Sequence, residues 1–407
     1  MKVIFVQPKT FHTWEALNVG YLASYLKLQG IKDISFYSGF FDLDDDIIEA
    51  CSRADVVGFS VTSPQMKHAL MLSKAVKRRN PNVWVVYGGV HASALPDDVL
   101  ENSSIDAVVI GEGELSFNSI VAGNRSRKVC TDYVKNLDSL PFPDRFIIKE
   151  ERNIQQAYQD NGIRIASIFS SRGCPYKCVF CASHCVWTRN VRFRSHENIL
   201  DEFEKVVKDL RIDFIKFSDD TFTLKKSLVQ KFCEEKLKRR NNTPWGCNIR
   251  VEVDEQTLRL MKAANCREVW VGVESGSPKI LNQMQKGITV EQVQKIFKLT
   301  KEIGFYRRAY MLLGMPEESE EDIKLSENLV KAIEPDAVGF TILAPYPGNK
   351  FYDPVGHKNI DWSLVDEYHN DITKTNYLSN QDLKLHQKRL VSLFSDKLVY
   401  RHQKKDL

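Results

Sequence analysis

Short apolar runs and longer helical patterns alternate along the first third of the chain, and this alternation limits the possible folds more than any other feature. The apolar runs are nearly continuous, and they lie at residues 3–6, 34–37, 55–61, 83–87 and 106–110. Apolar strands of this kind, joined by helices, are typical of a parallel sheet that is covered on both faces. The pattern predicts an α/β chain whose residues 1–130 form a doubly wound, Rossmann-like domain.

A second series of strands and helices begins at Ile165. Its six apolar runs lie at residues 165–170, 214–217, 245–249, 268–273, 307–313 and 337–343. Six such units fall short of the eight in a closed TIM barrel, so a partial (β/α)6 barrel is predicted, with its chemistry at the carboxyl ends of the strands. The predicted division is a first domain at 1–130, a Pro-rich linker at 131–163, a barrel at 164–349 and a small helical extension at 350–407. A helical apolar stripe that reaches Leu398 and Val399 suggests the extension, and residues 401–405 are expected to be a solvated end.

Three cysteines lie in the segment that follows the first predicted barrel strand. Cys174, Cys178 and Cys181 have the spacing C-x3-C-x2-C and come from one loop. A [4Fe–4S] cluster normally takes four cysteine ligands, so three would leave one iron open to a substrate. A zinc site completed by His184 or Cys185, and chance clustering among nine cysteines, are the alternatives that the spacing leaves open.

Glycine-rich and hydroxyl-bearing turns follow three of the predicted strands in the first domain. In a doubly wound sheet, ligands bind beyond the carboxyl ends of the strands, and glycine lets the backbone approach a large ligand closely. Each turn taken alone is equally well explained as a tight turn. Together they predict a ligand site on one rim, with these candidate residues: Ser60, Thr62, Gly88, Gly89, Val90, Gly111, Glu112 and Gly113.

The cysteine loop, with an aromatic residue directly before its third cysteine, resembles the radical S-adenosylmethionine (SAM) superfamily. The resemblance implies that the open iron chelates the amino and carboxylate groups of SAM, and that an electron from the cluster cleaves SAM to a 5′-deoxyadenosyl radical. Loops after the later barrel strands resemble the SAM-binding segments of the superfamily, in the same order. Taken singly, Asp219 is better explained as a helix cap and Glu274 as a surface carboxylate, and only the ordered set of loops favours a site. The candidate SAM contacts are Phe180, Ser218, Asp219, Arg250, Glu274, Ser275, Tyr310 and Leu313.

The first domain resembles the cobalamin-binding domain that precedes the radical SAM domain in many enzymes. The three glycine-rich turns and the segment 18–26 carry this resemblance. A known cobalamin motif, Asp-x-His-x-x-Gly, is absent, because none of the nine histidines has an aspartate two positions before it. We therefore expect cobalamin to bind without a histidine ligand from this chain, and we interpret His91 as a polar turn or surface residue.

The joint resemblance implies a cobalamin-dependent radical SAM enzyme that transfers a methyl group to an unactivated carbon of a small-molecule or peptide substrate. Its cofactors are expected to be a [4Fe–4S] cluster, SAM and cobalamin, with an electron donor such as flavodoxin or ferredoxin as a partner. A radical SAM cyclase or rearrangement enzyme is the second hypothesis, and a non-catalytic cobalamin or cluster sensor is the third. A methylthiotransferase is disfavoured, because the first domain has no second cysteine triad.

Composition excludes several other classes. The formal net charge of +4 is too small to indicate nucleic-acid binding, and no apolar run approaches the roughly 18 residues of a membrane span. Nine cysteines without a secretion signal predict a reducing compartment, and hence the cytoplasm. No catalytic side chain can be assigned. Arg189, Arg192 and Arg194 suit either a solvated loop or a partner for a carboxylate or phosphate, and Cys185 is interpreted as structural.

Overall fold

Two parallel sheets of six strands each dominate the structure, a computed structural model that describes residues 1–358 and 360–397. The strands of the first sheet are β1 (Lys2–Gln7), β2 (Asp33–Ser38), β3 (Val56–Ser60), β4 (Trp84–Gly88), β5 (Ala107–Val109) and β6 (Lys128–Val129). The helices of this region are α1 (Leu17–Leu28), α2 (Asp44–Cys51), α3 (Met66–Arg79), α4 (Val90–Ala94), α5 (Pro96–Leu100) and α6 (Gly113–Val121).

The first sheet has the strand order β2-β1-β3-β4-β5-β6. From β1 the chain passes to β2 on one side, and it then returns to β3 on the other side, so the order reverses between β1 and β3. Such a switch point opens a crevice at the carboxyl ends of the strands. Separate apolar clusters cover the two faces of the sheet, one containing Ile4 and Val57 and the other containing Val3 and Val56.

The second sheet has the order β14-β13-β12-β11-β10-β7 and forms an open, curled half-barrel. Its region contains the strands β7 (Ile165–Ile168), β8 (Ser171–Arg172), β9 (Arg192–Phe193), β10 (Phe214–Phe217), β11 (Trp245–Ile249), β12 (Cys266–Glu274), β13 (Tyr306–Leu313) and β14 (Ala337–Ile342), of which β8 and β9 pair separately. The helices are α7 (Glu151–Asn161), α8 (His184–Trp187), α9 (His196–Leu210), α10 (Lys226–Lys238), α11 (Glu255–Ala263), α12 (Pro278–Gln283), α13 (Val290–Ile303), α14 (Glu320–Ile333) and α15 (Asn380–Leu393).

The predicted α/β class, the parallel doubly wound sheet and the six-stranded partial barrel are confirmed. Two features differ from the prediction. The first sheet has a sixth strand, β6, and the segment predicted as a linker contains α7. This helix ends at Gly162, whose φ of 73° is left-handed, and its Ile154 is buried in the core of the barrel. A helix with so little apolar surface has a weak sequence signal.

The extension lies against the outer face of the barrel through α15. Leu383 and Leu390 are fully buried there, and the Phe394 ring lies 5.8 Å from that of Phe340. Leu398, Val399 and residues 401–405 lie outside the described residues. Within residues 1–358 and 360–397, no helix combines the length and the apolar character that crossing a membrane requires.

Candidate functional site

The cysteine loop follows β7 and begins at the turn after β8. Gly173 has a φ of +100°, and a Cβ there would lie 2.8 Å from the carbonyl oxygen of Asn190, so only glycine fits this turn. Hydrogen bonds join the loop to distant parts of the barrel. Val179 donates to the Met284 carbonyl at 3.1 Å, and its own carbonyl accepts from Lys350 at 2.9 Å. These two hydrogen bonds anchor the middle of the loop, at Val179, to segments that lie far from it in the sequence.

Cys174, Cys178 and Cys181 are free thiols that line one cavity of about 380 Å³, which we call the cluster cavity. Burial raises the pKa of the Cys174 and Cys178 thiols. No three His, Cys, Asp or Glu side chains in the described chain converge closely enough to hold a single metal ion. A cubane spreads its cysteine ligands over separate irons, whereas zinc draws four ligands to within about 2.3 Å of one atom. The donor set therefore fits an iron–sulfur cluster better than zinc.

Two adjacent carboxylates of the cluster cavity have different surroundings. Asp219 is only 1% exposed, and it accepts hydrogen bonds from the Ser170 amide (3.0 Å), the Ser170 hydroxyl (2.8 Å) and the Ser171 hydroxyl (2.5 Å). Burial raises its pKa, although these donors oppose the shift. Asp219 thus joins β10 to the start of the cysteine loop. Asp220 is exposed and lines the same cavity, so it is the carboxylate more available to a ligand.

Cations also line the cluster cavity. Lys286 lies 2.7 Å from Glu274, whose φ of +67° accompanies a bulge in the pairing of β12 with β13. The Arg250 guanidinium lies 3.5 Å from the centre of the Tyr176 ring. A ligand with both an ammonium and a carboxylate group would find partners of opposite charge for each.

Six of the eight predicted SAM contacts line the cluster cavity, and Ser275 and Leu313 do not. Ser275 is fully buried, and its hydroxyl lies 3.2 Å from that of Ser326 and accepts from the Ser277 amide. Leu313 belongs to the helix-facing core, because alternate residues of β13 point to opposite faces of the sheet. Asp220, Thr221 and Gly272 also line the cavity, and they belong to the segments that resemble SAM-binding loops. Further lining residues that the sequence did not indicate are Tyr176, Ser183, Asn248, Ile249, Trp270 and Lys286.

All eight residues predicted for cobalamin line a second cavity, the first-domain cavity, at the switch point of the first sheet. Its walls are mostly apolar and include Phe5, Leu22 and Phe117. None of its described lining residues is a histidine. His91 was expected to be a polar turn or surface residue, but it is buried on α4, where burial lowers its pKa to about 4 and its Nδ1 lies 2.9 Å from the Ser63 hydroxyl.

Buried ion pairs join the first-domain cavity to the cysteine loop. Arg172 donates to Glu114 at 2.8 Å, lies 3.4 Å from Glu112, and stacks 5.0 Å from the ring centres of Tyr21 and Trp187. Arg192 also donates to Glu112, at 3.0 Å.

Arg194 pairs with Glu202 and donates to the Phe169 carbonyl at 2.8 Å. Of the two alternatives for the basic segment, carboxylate pairing therefore applies to Arg192 and Arg194. Arg189 instead donates to the Tyr176 carbonyl. Cys185 does not line the cluster cavity, and it lies beside Gly348.

A third cavity, of about 640 Å³, lies between the other two, and we call it the central cavity. It shares Asn18, Arg172 and Trp187 with the first-domain cavity, and it shares Ser218 and Asn248 with the cluster cavity. A molecule in the central cavity would therefore be reached from both sides.

Comparisons with known proteins agree with this arrangement. Residues 168–330 match the model of the Radical SAM superfamily, and residues 6–121 match the model of the B12 binding domain. The first match contains the cysteine loop and β10 to β13, and the second runs from the end of β1 through β5. The matches thus divide the chain between its two sheets.

Similar proteins are found among curated sequences and solved structures. An uncharacterized methyltransferase of Pyrococcus horikoshii is 29% identical, with 97% of this chain and 92% of the relative covered. The anaerobic magnesium-protoporphyrin IX monomethyl ester cyclase of Rubrivivax gelatinosus is 28% identical, with 88% of this chain and 70% of the relative covered. The methyltransferase TsrM of Kitasatospora setae, solved with cobalamin and a [4Fe–4S] cluster, shares the fold with a TM-score of 0.71 at 20% identity, over 86% of this chain and 77% of TsrM.

Proposed function

The chain belongs to the radical SAM superfamily and carries a B12 binding domain, and from this premise we propose that it transfers a methyl group to an unactivated carbon. It is a radical SAM enzyme whose cofactors are a [4Fe–4S] cluster, SAM and cobalamin. The observation that carries the methyl-transfer proposal is the position of the central cavity, which adjoins both cofactor cavities. A substrate there can meet a radical source on one side and a methyl carrier on the other.

Cys174, Cys178 and Cys181 are proposed to hold the cluster, which supplies the electron that cleaves SAM. Around SAM, we assign the carboxylates of Asp220 and Glu274 to the ammonium group, and the cations Arg250 and Lys286 to the carboxylate. Phe180, Ser218 and Tyr310 complete the proposed contacts, and Asp219 positions the loop. Ser275 and Leu313 are left out, because both side chains are buried away from the cavity.

Cobalamin is proposed to bind at the first-domain cavity through backbone and apolar contacts. Gly89 has a φ of +95°, and a Cβ there would lie 2.7 Å from the Val61 carbonyl oxygen, so this turn requires glycine. The other proposed contacts are Ser60, Thr62, Gly88, Val90, Gly111, Glu112 and Gly113.

The decisive experiment is anaerobic reconstitution with iron, sulfide and hydroxocobalamin, followed by incubation with dithionite and methyl-labelled SAM. We expect retained cobalamin in the absorption spectrum, and both 5′-deoxyadenosine and S-adenosylhomocysteine among the products. Labelled cobalamin would show that the methyl group reaches the carrier even before a substrate is known. Formation of 5′-deoxyadenosine without retained cobalamin would contradict the methyl-transfer proposal and leave a radical SAM enzyme of another reaction.

A cyclase or rearrangement enzyme is the second candidate, and the similarity to the Rubrivivax cyclase supports it. The two candidates differ in the fate of the methyl group, because only a methyltransferase consumes a second SAM as methyl donor. Formation of 5′-deoxyadenosine with bound cobalamin and no S-adenosylhomocysteine would favour the cyclase. A reduced flavodoxin or ferredoxin is the proposed electron donor, and the reducing cytoplasm the proposed location, for this oxygen-sensitive chemistry.

A further inference from the structure

The central cavity contains a lysine whose charge the described chain does not neutralise. Lys216 lies on β10 and lines this cavity together with Ser218 and Asn248, the two residues shared with the cluster cavity. In the described residues, Lys216 Nζ takes part in no hydrogen bond or ion pair. Its one defined contact is with the Trp270 ring, whose centre lies 5.6 Å away. Lys216 is half-buried, and an ammonium held partly away from water without a hydrogen-bond partner costs free energy that an anionic ligand could offset.

Two carboxylates near Lys216 already have partners. Glu268 is bonded at 3.0 Å to both the Arg308 guanidinium and the Trp270 indole nitrogen. Glu15, which lines the central cavity, accepts a hydrogen bond from the Ser167 amide at 3.0 Å. Both attract the ammonium from a distance, yet burial, together with repulsion from the Arg308 guanidinium, outweighs them and lowers the pKa of Lys216. Neither carboxylate forms a described ion pair with Lys216, so a negative group of a ligand can still pair with the ammonium from the cavity side.

In the proposed arrangement, the carboxylate of SAM already has cationic partners. Arg250 and Lys286 lie in the cluster cavity, where SAM brings a carboxylate, and Lys216 does not line that cavity. It does not line the first-domain cavity either. The remaining ligand of the proposed reaction is the substrate. Aromatic side chains of the same cavity, namely Trp14, Tyr21 and Trp187, provide flat walls for its body.

We propose that Lys216 anchors an anionic group, a carboxylate or a phosphate, on the substrate that occupies the central cavity. The cavity volume of about 640 Å³ suits a ligand of metabolite size. The proposal rests on the proposed function, because the central cavity lies between two bound cofactors only if both bind as described above.

The test is equilibrium dialysis of the reconstituted, cobalamin-loaded protein, with SAM present and no reductant, so that both cofactor cavities are filled. Two probes of nearly the same shape differ in charge, 3-(2-naphthyl)propanoate and its primary amide. We expect the propanoate to bind about tenfold more tightly than the amide, since a charge-assisted hydrogen bond is lost with the charge. A third probe, 2-naphthyl phosphate, distinguishes the two candidate anionic groups. Tighter binding of the phosphate indicates a phosphate on the substrate, and tighter binding of the propanoate indicates a carboxylate.

We expect Lys216→Met to bind the propanoate and the amide with about equal affinity. We expect Lys216→Arg to retain most of the tenfold preference for the propanoate. Lys208→Met removes a lysine from an exposed position on α9, and it serves as the matched control that keeps the preference. The unfolding midpoint gives a second readout. If the lysine serves a ligand rather than the fold, Lys216→Met will leave the midpoint unchanged or raise it, because a half-buried cation without a hydrogen-bond partner is removed.

Equal affinity of the two naphthyl probes for the unaltered protein, or a preference that survives in Lys216→Met, would overturn the anion site. Such a result would leave methyl transfer standing, because that reaction is measured separately by S-adenosylhomocysteine formation. Conversely, a preference that depends on Lys216 in a protein that forms no S-adenosylhomocysteine would support the anion site and contradict the proposed function.

Discussion

The first-domain cavity and the cluster cavity lie in one molecule but are built on opposite principles. The first-domain cavity is lined by apolar side chains and by glycine backbone, and its two carboxylates, Glu112 and Glu114, are already paired with arginines. The cluster cavity is lined by thiols, by the acids Asp219, Asp220 and Glu274 and by the cations Arg250 and Lys286, of which Lys286 pairs with Glu274. The first can select a ligand by shape and the second by charge, so substitutions of volume and of charge should separate them.

Loss of a cluster ligand should produce the largest effect and should be confined to one cavity. Cys174→Ser is expected to abolish iron–sulfur absorption and 5′-deoxyadenosine formation, because serine does not replace a cysteine thiolate at iron. Cobalamin retention should remain, since the first-domain cavity contains no cysteine. Iron content, the visible spectrum and the nucleoside assay provide the measurement. Cys185→Ser is the matched control, and loss of the cluster in that variant would show that the ligand assignment is wrong.

Arg172 tests whether the two cavities are rigidly joined. Its side chain is 7% exposed, and it is the described cationic partner of Glu114, so Arg172→Met leaves a buried carboxylate unpaired. Breaking a buried pair in this way costs about 3–5 kcal/mol. We expect the free energy of unfolding in urea to fall by about that amount. The double variant Arg172→Met with Glu114→Gln should recover more than half of the loss, and an equal loss in both variants would exclude pairing as the cause.

Added volume should weaken cobalamin binding without affecting SAM. Gly88 lines the first-domain cavity, and the nearest atom to a Cβ at this position is Val109 Cβ at 3.7 Å, so the fold tolerates a side chain there. In Gly88→Val the branched side chain would occupy ligand space, at a cost of about 1–3 kcal/mol or roughly tenfold to a hundredfold in affinity. Titration with hydroxocobalamin measures this effect.

Whereas Gly88→Val adds volume to the first-domain cavity, Lys286→Met removes charge from the cluster cavity. It removes a cation that lies 2.7 Å from Glu274, and it should weaken SAM binding while leaving the affinity for cobalamin unchanged. If either variant changed the affinities for both cofactors to a similar extent, the contrast between the two cavities would fail.

The sequence could predict features that local patterns determine, and it could not predict contacts between distant positions. The strands along the chain and the cysteine loop follow from local patterns, namely apolar runs and ligand spacing. These patterns predicted two parallel sheets, and the eight cobalamin candidates drawn from the turns line one cavity. Ser275 and Leu313 do not line the cluster cavity, and for Leu313 the reason is that a motif does not reveal which face of the sheet a strand residue points to. The pair of Arg172 with Glu114 joins positions 58 residues apart, and no local pattern reports such a contact.

A higher salt concentration should produce the smallest effect, and it tests most directly whether charge distinguishes the two cavities. Raising KCl from about 0.05 to 0.5 M shortens the screening length from more than 10 Å to less than 5 Å, so a ligand held by charge should bind less tightly. We expect the dissociation constant of SAM to rise about two- to threefold, a modest change because partly buried pairs are screened less than exposed pairs. Cobalamin retention should stay constant, because its proposed cavity offers mostly apolar and backbone contacts. Measuring both constants on one reconstituted preparation removes differences in cofactor loading, and a parallel weakening of the two would show that charge governs both cavities.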